Sequence, residues 1–301
     1  MKKILIPSLL ACALYAGEQN FVEIGAGYAN IKDNFSTDSD KKNTTFKSPE
    51  SKTEGFSNIN FYYGYDFKEL PNIYISSQMG DLKLGSSFKT TQGFFDIGLK
   101  ASFDKEWENP FLRGVDRKET DTKEYGAYFN YTIPLSSNFE ASIVYEYSEK
   151  KYKDDNVINI LKRDGKRHIL GLEGIYSSNV NGKDIQFLHN LNYEKYDANG
   201  KASSFDKYGI ELGMASNLSE RINVFILGNY GKKEYEKSNP KFNKKVEADT
   251  YGVVAGMNWD KPFDYKNVYL DFKTGYEKEE ANVNFYDKES TFALISLGYK
   301  F

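Results

Sequence analysis

His168 and His189 are the side chains of this chain best suited to move a proton near neutral pH, and their surroundings argue against that use. His189 shares parity with Ile185, Phe187, Leu191 and Tyr193, and His168 with Leu170, Leu172 and Tyr176, so each falls on the apolar side of an alternating segment. The serine two residues on that a His-x-Ser hydrolase uses is missing, because positions 170 and 191 are Leu. A base, a nucleophile and an orienting partner cannot be assembled from these positions. The expectation is a protein that is not an enzyme.

The chemistry left to the chain belongs to the opposite parity. Glu23, Asp96, Lys100, Glu140, Glu146, Glu173, Glu211, Asp271 and Lys273 are spaced by twos within their segments, in company with Asn58, Asn60, Asn130 and Glu194 and with Gly at 25, 27, 64, 98, 126, 171, 209 and 213. Side chains so placed suit the polar lining of a water-filled passage. Carboxylates outnumber lysines there, which favours cations weakly, although Lys83, Lys89, Arg167, Lys207 and Arg221 toward the segment ends oppose the preference. Gly25-Ala26-Gly27 does not open a dinucleotide loop, since position 30 is Asn and no helical pattern follows. Asp33, Asp38 and Asp40 lack the spacing and terminal Glu of a calcium loop and are expected to be a solvated loop. The one cysteine, Cys12, lies in the amino-terminal segment, so no metal or cofactor site is expected.

The elements that must carry these residues are strands. Period-two alternation runs over 21–31, 56–67, 94–103, 125–133, 139–147, 166–177, 183–195, 204–216, 221–233, 247–259, 267–278 and 289–301. A short hairpin over 72–90, with Gly80-Asp81 as its two-residue turn, brings the count to about fourteen, with twelve as the alternative. Short turns alternate with longer connections at 32–55, 104–122, 149–165, 234–246 and 278–288 that are rich in Lys, Glu, Asp and Asn. A negative mean hydropathy fits this pattern. After residue 16 nothing approaches the roughly 20 apolar residues of a membrane helix, whereas barrel strands need only about 9–11 residues with alternate apolar positions. The fold class expected is all-β, a transmembrane antiparallel β-barrel.

Both ends carry more specific signals. Met1-Lys2-Lys3 and the apolar stretch 4–16 form a secretory leader, cut after Ala16 or, as a second choice, at Ala11-Cys12-Ala13. Reading Leu9-Leu10-Ala11-Cys12 as a lipoprotein box is disfavoured by the bulk of Leu10. Loss of Lys2 and Lys3 takes the formal charge from −3 to about −5, which argues against nucleic-acid partners. At the other end, positions 293, 295, 297, 299 and 301 are all apolar or aromatic, and Tyr299 and Phe301 resemble the carboxy-terminal assembly signal of bacterial outer-membrane β-barrels. In length and strand pattern the chain is similar to the fourteen-strand monomeric porins. The resemblance implies a single barrel domain over 17–301, location in the cell outer membrane, contact with its lipid and lipopolysaccharide, and engagement of the barrel assembly machinery by the last strand. It also implies a porin-like diffusion channel for small polar solutes or ions, gated by a loop such as 32–55. The alternative is an adhesin or antigen whose plugged barrel displays charged loops.

Overall fold

The computed structural model describes residues 20–67 and 71–301, so the expected leader at 1–16 lies outside the described residues. Fourteen strands form in chain order: β1 (Phe21–Asp33), β2 (Lys52–Tyr65), β3 (Asn72–Gln78), β4 (Asp81–Lys89), β5 (Phe94–Trp107), β6 (Glu119–Pro134), β7 (Phe139–Tyr152), β8 (Gly165–Val180), β9 (Lys183–Ala198), β10 (Phe205–Ser219), β11 (Ile222–Asn239), β12 (Lys244–Asp260), β13 (Val268–Ala281) and β14 (Lys288–Lys300). Each pairs antiparallel with its neighbours in sequence, and β1 closes on β14 through a register that runs from Phe21↔Lys300 to Asp33↔Lys288. Closure leaves no free side to the sheet as a whole, which is the condition for strands to cross hydrocarbon with their backbone groups satisfied.

Alternation sorts the side chains as the sequence suggests. On β1, Ile24 is 63% exposed while the adjacent Glu23 is 5% exposed. Outward apolar positions such as Leu99, Leu172, Leu191, Leu212 and Leu297 make a belt around the wall. Exposed rings edge it on both sides, with Tyr63, Tyr65, Phe94, Tyr176, Tyr299 and Phe301 toward the turn end and Tyr28, Phe103, Tyr125, Tyr208 and Tyr230 toward the loop end. Amphipathic rings at two levels are what a bilayer-spanning barrel places at its two interfaces.

Several boundaries move. The strands continue into charged stretches read as loops, so that β11 and β12 reach 18 and 17 residues and the connection between them shrinks to 240–243. Inward charges at this height pair across the wall, as Lys233 of β11 does with Glu279 of β13 over the intervening β12, and alternation between charged residues of both faces leaves no apolar signal to read. The β3–β4 turn is Met79-Gly80, with Gln78 paired to Asp81, one residue earlier than expected; Met79 and Gly80 both hold positive φ.

Candidate functional site

The inner wall contains the polar set expected from parity, tied together side chain by side chain. Lys100 pairs with Glu146, Lys273 with Asp271 at 2.6 Å, and Arg167 with Glu194 at 2.7 Å. Glu23 accepts hydrogen bonds from Asn60 (2.8 Å) and the Tyr269 hydroxyl (3.0 Å), and Asp96 accepts one from Tyr74 (2.7 Å). Glu211 accepts from Asn190 and Asn192 at 3.1 and 3.3 Å. Glu173 lies on the same register row as Asn190 and Glu211, and its Oε1 has no hydrogen-bond partner among the described residues. Glu140 sits apart from this network, exposed at the turn end. The two histidines are elsewhere: His189 stacks on Phe139, and His168 Nδ1 lies 2.9 Å from the Tyr145 hydroxyl, both on the outward parity.

Beside the polar set runs an apolar row that sequence reasoning did not single out. Register pairs connect Ile175, Leu188, Gly213, Leu227, Val254, Gly275, Phe292 and Ala29, one inward residue from each strand from β8 round to β1. Because strands tilt in a barrel, such a row is inclined: it starts near the turn end on β8 and climbs toward the loop end on β1. Leu188, Leu227, Val254 and Phe292 are almost wholly buried, joined by Phe225 and Leu294. The two glycines are set by this packing, since a Cβ at Gly213 would stand 2.1 Å from Leu227 Cδ2 and one at Gly275 2.5 Å from Phe292 Cε1. The signal was present as failed alternation: Val224-Phe225-Ile226-Leu227 and Phe292-Ala293-Leu294-Ile295 are apolar on both parities.

At the loop end, six connections fold into one cap. Phe35 and Phe46 from 34–51, Phe111 from 108–118, Leu161 from 153–164, Ala202 from 199–204, Phe242 from 240–243 and Phe285 and Tyr286 from 282–287 share a buried cluster with the inward Tyr235 and Val246. Its members come from opposite sides of the barrel, so the cluster spans the mouth. Phe285 meets Phe35 edge-on at 5.7 Å and Phe46 at 5.3 Å. Arg117 is fully buried and donates to Asn34 O (2.6 Å), Ser39 Oγ (3.0 Å) and Asp40 O while stacking on Trp107 at 4.4 Å. Burial pushes its guanidinium down to about 10, against the opposing pull of Asp40 and Asp33. Arg163 ties the next loop in, donating to Trp107 O at 2.8 Å and Glu108 O at 2.9 Å while pairing with Asp155 at 2.7 Å. The Asp33, Asp38 and Asp40 segment is therefore not a solvated loop: Asp38 and Ser39 are buried in the cap, and Asp33 pairs with Lys288. Composition hid this, because scattered rings such as Phe35, Phe46 and Phe111 have no period within their loops.

An apolar belt between two aromatic rims, a closed fourteen-strand wall and a polar inner face make this a barrel of the outer-membrane type. No curated protein matches the chain. Among solved structures it is similar to OmpT, an outer membrane protein of Vibrio cholerae (10% identity, 94% of this chain and 97% of that one, TM-score 0.47). It is also similar to a FadL homologue of Pseudomonas aeruginosa (8% identity, 94% and 90%, TM-score 0.47) and to the CymD monoaromatic hydrocarbon channel (11% identity, 94% and 89%, TM-score 0.44). The model of one sequence family, described as "Protein of unknown function (DUF2860)", matches residues 17–300, and the chain belongs to that family.

Proposed function

We propose that the protein is a non-enzymatic channel of the bacterial outer membrane for small solutes, shut at its outer mouth by the loop cap and opened when the cap yields. The observation that carries the reading is the joining of six outer loops in one buried aromatic core above a polar inner wall. A barrel that only anchored loops for display would have no need to bury Arg117 and Phe285 across its own mouth. Inward charges such as Lys100 and Glu146 offer polar solutes and ions a lining, and the apolar row offers a surface to solutes with an apolar part.

Tyr299 on the last strand and Phe301 just after it, both exposed at the turn end, are the residues we assign to the assembly machinery, with the outward belt meeting lipid and lipopolysaccharide. A display role is the second reading, favoured by the burial of mid-lumen side chains such as Leu227, Asn190 and Asp271. Planar-bilayer recording of the refolded barrel separates the two. Discrete conductance steps that lengthen when the cap is loosened support the channel, and a folded barrel that stays silent with its cap removed supports display.

A further inference from the structure

The barrel wall is not of even height. β3 and β4 have seven and nine residues, where every other strand has 13 or more. β2 pairs with β3 only over Phe61–Tyr65, and β4 reaches no further up β5 than Ser102. Above the Met79-Gly80 turn, Lys52–Asn60 of β2 and Phe103–Trp107 of β5 therefore continue with no strand of the described residues between them. On the β5 side the cap fills in from within, through the Ser36↔Glu106 bridge and the bond from Trp107 N to Phe35 O. On the β2 side, among the described residues, only β1 pairs with Lys52–Ile59.

This notch reaches the depth of the apolar belt. Where β1 presents Ala26 and Tyr28 outward, β2 presents Ser57 and Gly55. An uncovered strand edge is tolerated at that depth only beside a polar or protein-lined cavity. Behind the notch, Phe56 on β2 and Met79 in the turn both pack against the apolar cluster of the lumen. Asn58 and Asn60 stand at its sill, bonded to Met79 Sδ (3.2 Å) and Met79 N (3.0 Å). Apolar row, polar sill and gap in the wall are thus contiguous.

We propose that the notch is a lateral port through which small amphipathic molecules pass between the outer leaflet and the apolar row inside the barrel. The apolar body moves along the row, and the amides of Asn58 and Asn60 receive the polar end. This rests on the channel reading and adds to it a substrate class and a side entrance.

The test places a tryptophan behind the notch, Phe56→Trp, and a control behind a wall of full height, Phe225→Trp, in vesicles of phosphatidylcholine with brominated acyl chains. Phe225 also faces inward and belongs to the same apolar cluster. Leu191→Trp, outward on β9, sets the quenching of full lipid contact, and the native Trp107 and Trp259 give all three the same background. Heat-modifiable gel mobility certifies each as folded. The port requires F56W to be quenched nearly as strongly as L191W and well beyond F225W; quenching of F56W no greater than that of F225W overturns it. As a second readout, the native barrel binds the amphipathic dye N-phenyl-1-naphthylamine and Leu227→Asn weakens that binding roughly tenfold, a loss of about 1.4 kcal/mol; undiminished binding overturns the assigned path. Conductance of the same variants with residues 36–52 deleted keeps the two readings apart, since an uncapped barrel that conducts without quenching of F56W refutes the port alone, and one that is quenched but stays silent refutes the channel.

Discussion

The wall at β11–β12 and the wall at β3–β4 obey the same alternation yet end at different heights. β11 and β12 run for 18 and 17 residues, take a register shift between Glu234 and Ser238, and deliver Tyr235 and Val246 into the cap. β3 and β4 stop at a two-residue turn with positive φ at Met79 and Gly80, well below the cap. What distinguishes them is where turn chemistry interrupts pairing, not hydrophobicity. The tall side anchors the lid; the low side leaves an opening for the lumen to meet the membrane.

The strongest way to break the comparison is to disable the tall side's product. Phe285→Ala removes a ring packed by Phe35, Phe46, Phe111 and Phe242 and should cost the cap about 3–5 kcal/mol. Limited proteolysis would then cut within 34–51 while the barrel keeps its heat-modifiable mobility; an uncut loop refutes a cooperative cap.

Arg117→Met should act in the same direction by about 3 kcal/mol, since Asn34 O, Ser39 Oγ and Asp40 O lose a charged donor and Trp107 its cation. Hydrogen exchange at the Gly114 amide, bonded to Asn43 O at 2.8 Å, reports the change. Raising the low side sharpens the contrast: four added alternating residues, two on each arm of β3–β4, should extend the pairing with β2 and β5 and reduce lipid quenching at Phe56→Trp without altering conductance. The smallest effect is expected of His168→Asn with His189→Asn, which touches outward contacts to Tyr145, Tyr147 and Phe139 and should shift unfolding by no more than about 0.5 kcal/mol while leaving conductance unchanged.

Much of the architecture was legible because lipid outside and polar groups inside impose period two, and β1 with Glu23 and Ile24 on opposite faces is the plainest case. The fourteenth strand could be read because Tyr299 and Phe301 end an outward series, yet its inner face was overlooked: Phe292 and Leu294 alternate with equally apolar outward residues. Where both faces are apolar, alternation has no contrast to show. The cap was illegible for another reason. Its core joins single rings from six separate loops, and contacts of that kind depend on closure of the whole barrel rather than on any local period. Loop boundaries failed at β5, β11 and β12 because charged residues can continue a strand when another strand of the inner wall supplies the opposite charge, as Glu106 of β5 finds in Lys150 of β7, across β6.

Single-channel recording of the native barrel beside Arg117→Met and a barrel lacking 36–52 tests the capped channel most directly. The expected result is a largely closed native protein, longer openings with R117M and sustained conductance without the loop. Folded barrels that remain silent in all three forms would contradict it.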